Sequence, residues 1–140
     1  MGDRIAISID IDAPTSRVWA ALTEPKLVRA YMMGATVSTD WKVGHKITWS
    51  GQYNGKSYVD RGEVKALDPQ KRLSVTHWSP LSGLADEPAN YHAVTYDLAP
   101  TAKGTKVTLT QENLTGVSEE QSRKNWQPVL RGLKETVEAP

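Results

Sequence analysis

The sequence predicts an α+β fold: a curved seven-stranded antiparallel sheet gripping a long C-terminal helix, in the order β-α-α-β-β-β-β-β-β-α. Three observations predict it. The chain opens on a strictly alternating segment, RIAISIDI, and closes on an amphipathic one, SEEQSRKNWQPVLRGLKETVE. Between them lie six more strand-like runs, whose short connections demand an antiparallel meander, because a parallel crossover takes a dozen or more residues. A twisted sheet of this size has one concave apolar face, and the C-terminal helix is the long element left to cover it.

Each element has its own signature. RIAISIDI sets Ile5, Ile7, Ile9 and Ile11 on one face and Arg4, Ser8 and Asp10 on the other, as a half-buried strand requires. In DAPTSRVWAAL, Pro14 takes a helix-start position ahead of Val18, Trp19 and Leu22. TEPKLVRAYM repeats the device, with Pro25 before the stripe Leu27, Val28 and Tyr31. Beyond Gly34 the predicted strands are Ala35–Thr39, Lys46–Tyr53, Lys56–Leu67, Arg72–Trp78, Tyr91–Ala99 and Lys106–Asn113. Their separators NG, DPQK and PTAKG are turn chemistry. SPLSGLADEPAN is predicted as a surface loop near the mouth of a cavity. Ser118-x-x-Gln121 has the form of a capping box, opening a helix of about 20 residues that runs to Val137. Pro128 interrupts its hydrogen-bond ladder and predicts a kink or an internal boundary.

Composition narrows the function. At 140 residues one domain over 1–140 is expected, with 24% charged residues and a formal net charge of +1. The charges are mixed along the chain, so no nucleic-acid partner is expected. With no long apolar run and no signal-peptide pattern at the start, neither a membrane partner nor export is expected, and the location reads as cytoplasmic. The absence of cysteine removes thiolate metal sites and cysteine nucleophiles. His45, His77 and His92 stand at no recognised metal spacing, so neither a metal nor a cofactor is expected. SGQYNGKS falls one residue short of a phosphate-binding loop and precedes a strand pattern, so it reads as a hairpin about Asn54-Gly55.

Five Trp and five Tyr with no Phe suit a half-wet cavity wall, because each carries a polar handle on an apolar body. Strand parity puts His77 with Leu73 and Val75, and His92 with Val94, Tyr96 and Leu98, on the concave face. Asp60 shares parity with Tyr58, Gly62 and Val64 and would face inward, unless a bulge near Gly62 turns it out and exchanges it with Arg61 and Glu63. The candidate ligand-binding residues are Trp49, Tyr58, Asp60, His77, His92, Tyr96, Trp126 and Leu130. Trp126 and Pro128 mark the expected edge of the pocket.

Four separated segments, IDAPTSRVWAALTEPKLVRAY, GEVKALDPQKRLSVTHW, GTKVTLTQENL and NWQPVLRGLKETVE, resemble the helix-grip superfamily of lipid-transfer, plant pathogenesis-related and polyketide-cyclase domains. More narrowly they resemble bacterial single-domain relatives of the C-terminal domain of the activator of heat-shock protein ninety ATPase. Asn125-Trp126 stands where that family usually has Gly-Trp. The resemblance implies a small-molecule binding protein with an apolar cavity for a hydrophobic or aromatic ligand. Two alternatives come with it. One is a cyclase- or hydrolase-type enzyme using His92, His77 or Asp60 as general acid or base; the other is a co-chaperone-like protein with a chaperone or other protein as partner. Chaperone activation itself is not implied, because only one of the co-chaperone's two domains is matched.

Overall fold

The computed structural model describes residues 4–32, 34–114 and 116–139. Its seven strands are β1 (Arg4–Ile11), β2 (Thr36–Ser38), β3 (Lys46–Tyr53), β4 (Lys56–Asp68), β5 (Arg72–His77), β6 (His92–Pro100) and β7 (Thr105–Glu112). The helices are α1 (Thr15–Thr23), α2 (Pro25–Tyr31) and α3 (Glu119–Glu138). All strand pairs are antiparallel, in the spatial order β1-β7-β6-β5-β4-β3-β2. The predicted α+β order is therefore the observed one.

Local chemistry accounts for the elements. In β1, Ile5 and Ile11 are buried and Ile7 and Ile9 pack against the core, while Arg4, Ser8 and Asp10 are exposed. The β3–β4 hairpin turns at Asn54 and Gly55, whose φ values of 51° and 78° are those of a two-residue turn with both central residues left-handed. The phosphate-loop likeness is thereby answered: the segment is a hairpin. At the start of α3 the Ser118 side chain accepts from the Gln121 backbone N–H at 3.1 Å. The helix runs without a break through Pro128, so the proline marks no boundary within it.

α3 buries Ser122, Leu130, Leu133 and Val137 along one stripe. Its C-terminal half is fastened to the layer below. Lys134 Nζ donates to the Asp10 carbonyl at 2.8 Å, and the Arg17 guanidinium donates to the Val137 and Ala139 carbonyls, a cation at the negative end of the helix. Gly132 allows a close approach, since a Cβ there would meet Tyr31 Cβ at 3.0 Å. The helix thus packs on β1, α1 and α2. The concave face of the central strands lies beyond that contact.

Candidate functional site

The bend in β4 decides which side chains enter the concave face. Its pairing with β5 shifts between Val64 and Ala66, after Gly62 rather than at it. Asp60, Gly62 and Val64 therefore keep one parity, and Asp60 faces inward while Arg61 pairs outside with Asp86 at 2.9 Å. Gly62 is required there, because a Cβ would lie 1.8 Å from the Thr76 carbonyl oxygen. With no side chain at Gly62, the Asp60 carboxylate reaches His77 on β5.

Three titratable groups then form a chain across three strands. Asp60 Oδ2 lies 2.8 Å from His77 Nε2, and His77 Nδ1 lies 2.9 Å from His92 Nε2. A carboxylate only accepts, so the His77 Nε2–H donates to Asp60. Two arrangements satisfy the second contact: an imidazolium at His77 donates to His92, or a neutral His77 accepts from it. The three groups can therefore take up or release one proton with both contacts kept. Burial first, and the neighbouring His77 second, push the His92 imidazole down to about 4, against a smaller upward pull from Asp60. The Trp49 ring meets His77 edge-on, with centroids 5.1 Å apart. Asp60 Oδ1 is buried with no hydrogen-bond partner.

This row forms one wall of a cavity of about 500 Å³, enclosed by α2, the N-terminal half of α3 and the concave face of the sheet. Apolar side chains such as Val28, Ile47, Val75 and Val94 supply most of its surface. Trp49, Tyr58, Asp60, His77, His92, Tyr96 and Trp126 all line it, as does Pro128. Leu130 does not. It is 2% exposed and packs in the core cluster one turn further along α3, where the helix already meets its neighbours. Burial raises the Tyr96 hydroxyl well above its ordinary pKa, and burial with the Asp60 charge raises that of Tyr58.

The loop from Ser79 to Asn90 is not part of the cavity wall, against the expectation that it sits at the mouth. Trp78 and Tyr91 have the opposite parity to His77 and His92, stack with centroids 6.2 Å apart, and hold the loop on the outer face. The Trp78 indole donates to the Leu84 carbonyl at 3.2 Å, and the Tyr91 hydroxyl to Asp86 Oδ1 at 2.6 Å.

Gln111, Ser122 and Trp41 are lining residues that sequence reasoning did not single out. Gln111, 6% exposed, accepts at Oε1 from the Ser122 hydroxyl at 2.7 Å and from the Trp126 indole N–H. Its parity with Val107 and Leu109 is the signal that could have found it, and Ser122 lies one helical turn before Trp126. Trp41 has φ 57°, a left-handed conformation rare for a bulky residue, and no sequence signal marks it. Among the described residues no group of three His, Cys, Asp or Glu converges as a metal site, since Asp60, His77 and His92 stand in line.

A family model described as Activator of Hsp90 ATPase homolog 1-like protein matches residues 12–138. The chain is similar to ChR145 from Cytophaga hutchinsonii, with 40% identity over 96% of this chain and 93% of that one and a TM-score of 0.82. It is also similar in fold to CV1439 from Chromobacterium violaceum, at 24% identity, 100% coverage of both chains and a TM-score of 0.81. An AHSA1-like protein from Aeromonas hydrophila shares 21% identity over 97% of this chain and 92% of that one, with a TM-score of 0.80. No curated protein matches.

Proposed function

The chain belongs to the Activator of Hsp90 ATPase homolog 1-like family, within the helix-grip superfamily, and from that premise we propose that it binds a small hydrophobic or aromatic molecule between its sheet and α3. The observation that carries the reading is the cavity of about 500 Å³, apolar over most of its wall and with a few polar groups at fixed positions. That is the usual make-up of a small-molecule site. Trp49, Tyr58, His77, Tyr96 and Trp126 supply flat, amphipathic surfaces for an aromatic body, and Asp60, His77 and His92 add a row of polar groups along one wall.

Trp41, Trp49 and Trp126 line the cavity, so a ligand should report itself in tryptophan emission. Titration with the uncharged fluorophore N-phenyl-1-naphthylamine should give a saturable 1:1 response, with chemical-shift changes centred on β5, β6 and the first half of α3. A response that does not saturate, or shifts confined to the outer face, defeats the proposal.

The line of Asp60, His77 and His92 favours a second reading, general acid–base catalysis on the bound molecule. It requires that His77→Gln abolish turnover of a bound ketone or lactone while leaving its affinity within a few-fold. Equal turnover by the variant removes it.

A further inference from the structure

Two hydrogen-bond donors inside the cavity have no partner among the described residues. Tyr96 is 7% exposed and Gln111 is 6% exposed, so both side chains are more than nine-tenths buried, and both line the cavity. The Tyr96 hydroxyl has no hydrogen-bond partner among the described residues, yet it is not sealed in packing as Asp60 Oδ1 is. The Gln111 amide is oriented by its neighbour. An indole N–H can only donate, so the atom facing Trp126 is the carbonyl oxygen, and the –NH2 is the end left without a partner.

The sheet brings these two donors together. Tyr96 pairs with Leu109 across β6 and β7, and Gln111 pairs with Val94, so Tyr96 and Gln111 are diagonal neighbours on one face. Their Cα atoms are then about 7–8 Å apart, within joint reach of one atom for two long side chains. Buried donors without acceptors are unfavourable in an apolar wall, so a ligand that supplies an acceptor there gains more than one that does not. Charge decides which acceptor. No Lys or Arg lines the cavity, and the Asp60 carboxylate does, so an anionic oxygen would be desolvated with no permanent cation to offset it.

We propose that the ligand is an uncharged carbonyl compound with a flat apolar body, its oxygen received jointly by the Tyr96 hydroxyl and the Gln111 side-chain N–H. This deepens the binding reading above and rests on it.

The test uses three probes with one body: 4-acetylbiphenyl, 4-ethylbiphenyl and biphenyl-4-carboxylate at pH 7.5. The ketone should bind about three- to tenfold more tightly than the hydrocarbon and more tightly than the carboxylate. Its bound carbonyl stretch should move to lower frequency than in hexane. Tyr96→Phe should remove most of the preference and most of the frequency shift, while leaving the unliganded protein as stable as before or slightly more so. Equal binding of ketone and hydrocarbon, tightest binding of the carboxylate, or a Tyr96→Phe variant with the full ketone preference each overturns the carbonyl assignment and leaves the cavity reading standing. Failure of all three probes to bind overturns both.

Discussion

Lowering the pH should destabilise this protein through His92. The imidazole is pushed from an ordinary 6.5 down to about 4, so between those values the unfolded chain binds a proton that folded His92 does not. Stability is present in full above pH 6.5 and is lost as the pH falls towards 4. At about 1.4 kcal/mol per pH unit the full span is worth about 3 kcal/mol, and the partial solvent access of the ring reduces this to about 2 kcal/mol. The carboxyls of Asp40 and Glu138 are held below their ordinary range, by His45 in the one and by the Asp12 backbone N–H with Lys134 in the other, so what they contribute is lost only towards the acid end of the range. The perturbation is His92→Gln, which keeps a polar nitrogen near His77 and removes the titration. Urea unfolding of both proteins at intervals from pH 7.5 to 4.5 should show the stability difference moving by about 2 kcal/mol in the variant's favour as the pH falls. A difference that stays constant over that range refutes the reasoning.

Three further outcomes follow from the packing. Gly62→Ala places a methyl group 1.8 Å from the Thr76 carbonyl oxygen and should destabilise the fold by about 3 kcal/mol, read by urea midpoint, with loss of the His77–His92 contact in imidazole nitrogen spectra. Gln111→Leu removes the shared acceptor of Ser122 and Trp126 and should cost about 2 kcal/mol; an unchanged midpoint would show that those donors have other partners. Pro128→Ala restores a backbone donor in the middle of an exposed helical turn and should raise stability by about 1–3 kcal/mol, measured by thermal unfolding with α3 helicity monitored by circular dichroism.

How legible the fold was depends on which forces specify it. The strands and helices follow from periodicity and turn chemistry, which are local, and β3 runs over Lys46–Tyr53 as the alternation and the Asn54-Gly55 turn require. Asp60 was ambiguous because a glycine two residues on permits either register. The choice was made by contact with Thr76, a residue of another strand. Gln111 was legible by the same parity argument that found His77 and His92, since it follows Val107 and Leu109 on an inward face. Trp41 was not legible, because a left-handed tryptophan is fixed by the turn around it rather than by its own preference. The loop after Trp78 was read correctly as surface, but its place on the outer face depends on the Trp78–Tyr91 stack, a pairing across strands.

The cavity itself has a physical cause in the uneven seating of α3. Its C-terminal half carries Leu130, Leu133 and Val137 into close packing with the layer below, and apolar surfaces so matched leave no space. Its N-terminal half instead meets the sheet through polar contacts: Gln111 Oε1 takes hydrogen bonds from both Ser122 and Trp126, and the Arg123 guanidinium donates to the Ala6 carbonyl at 2.9 Å. A polar strut of that length holds helix and sheet apart where leucine pairs would draw them together. Pro128 falls between the two halves and lines the open side. The polar residues on the inward face therefore do two things at once: they keep the concave face from collapsing onto the helix, and they present the few directional groups by which the resulting space can select what enters it.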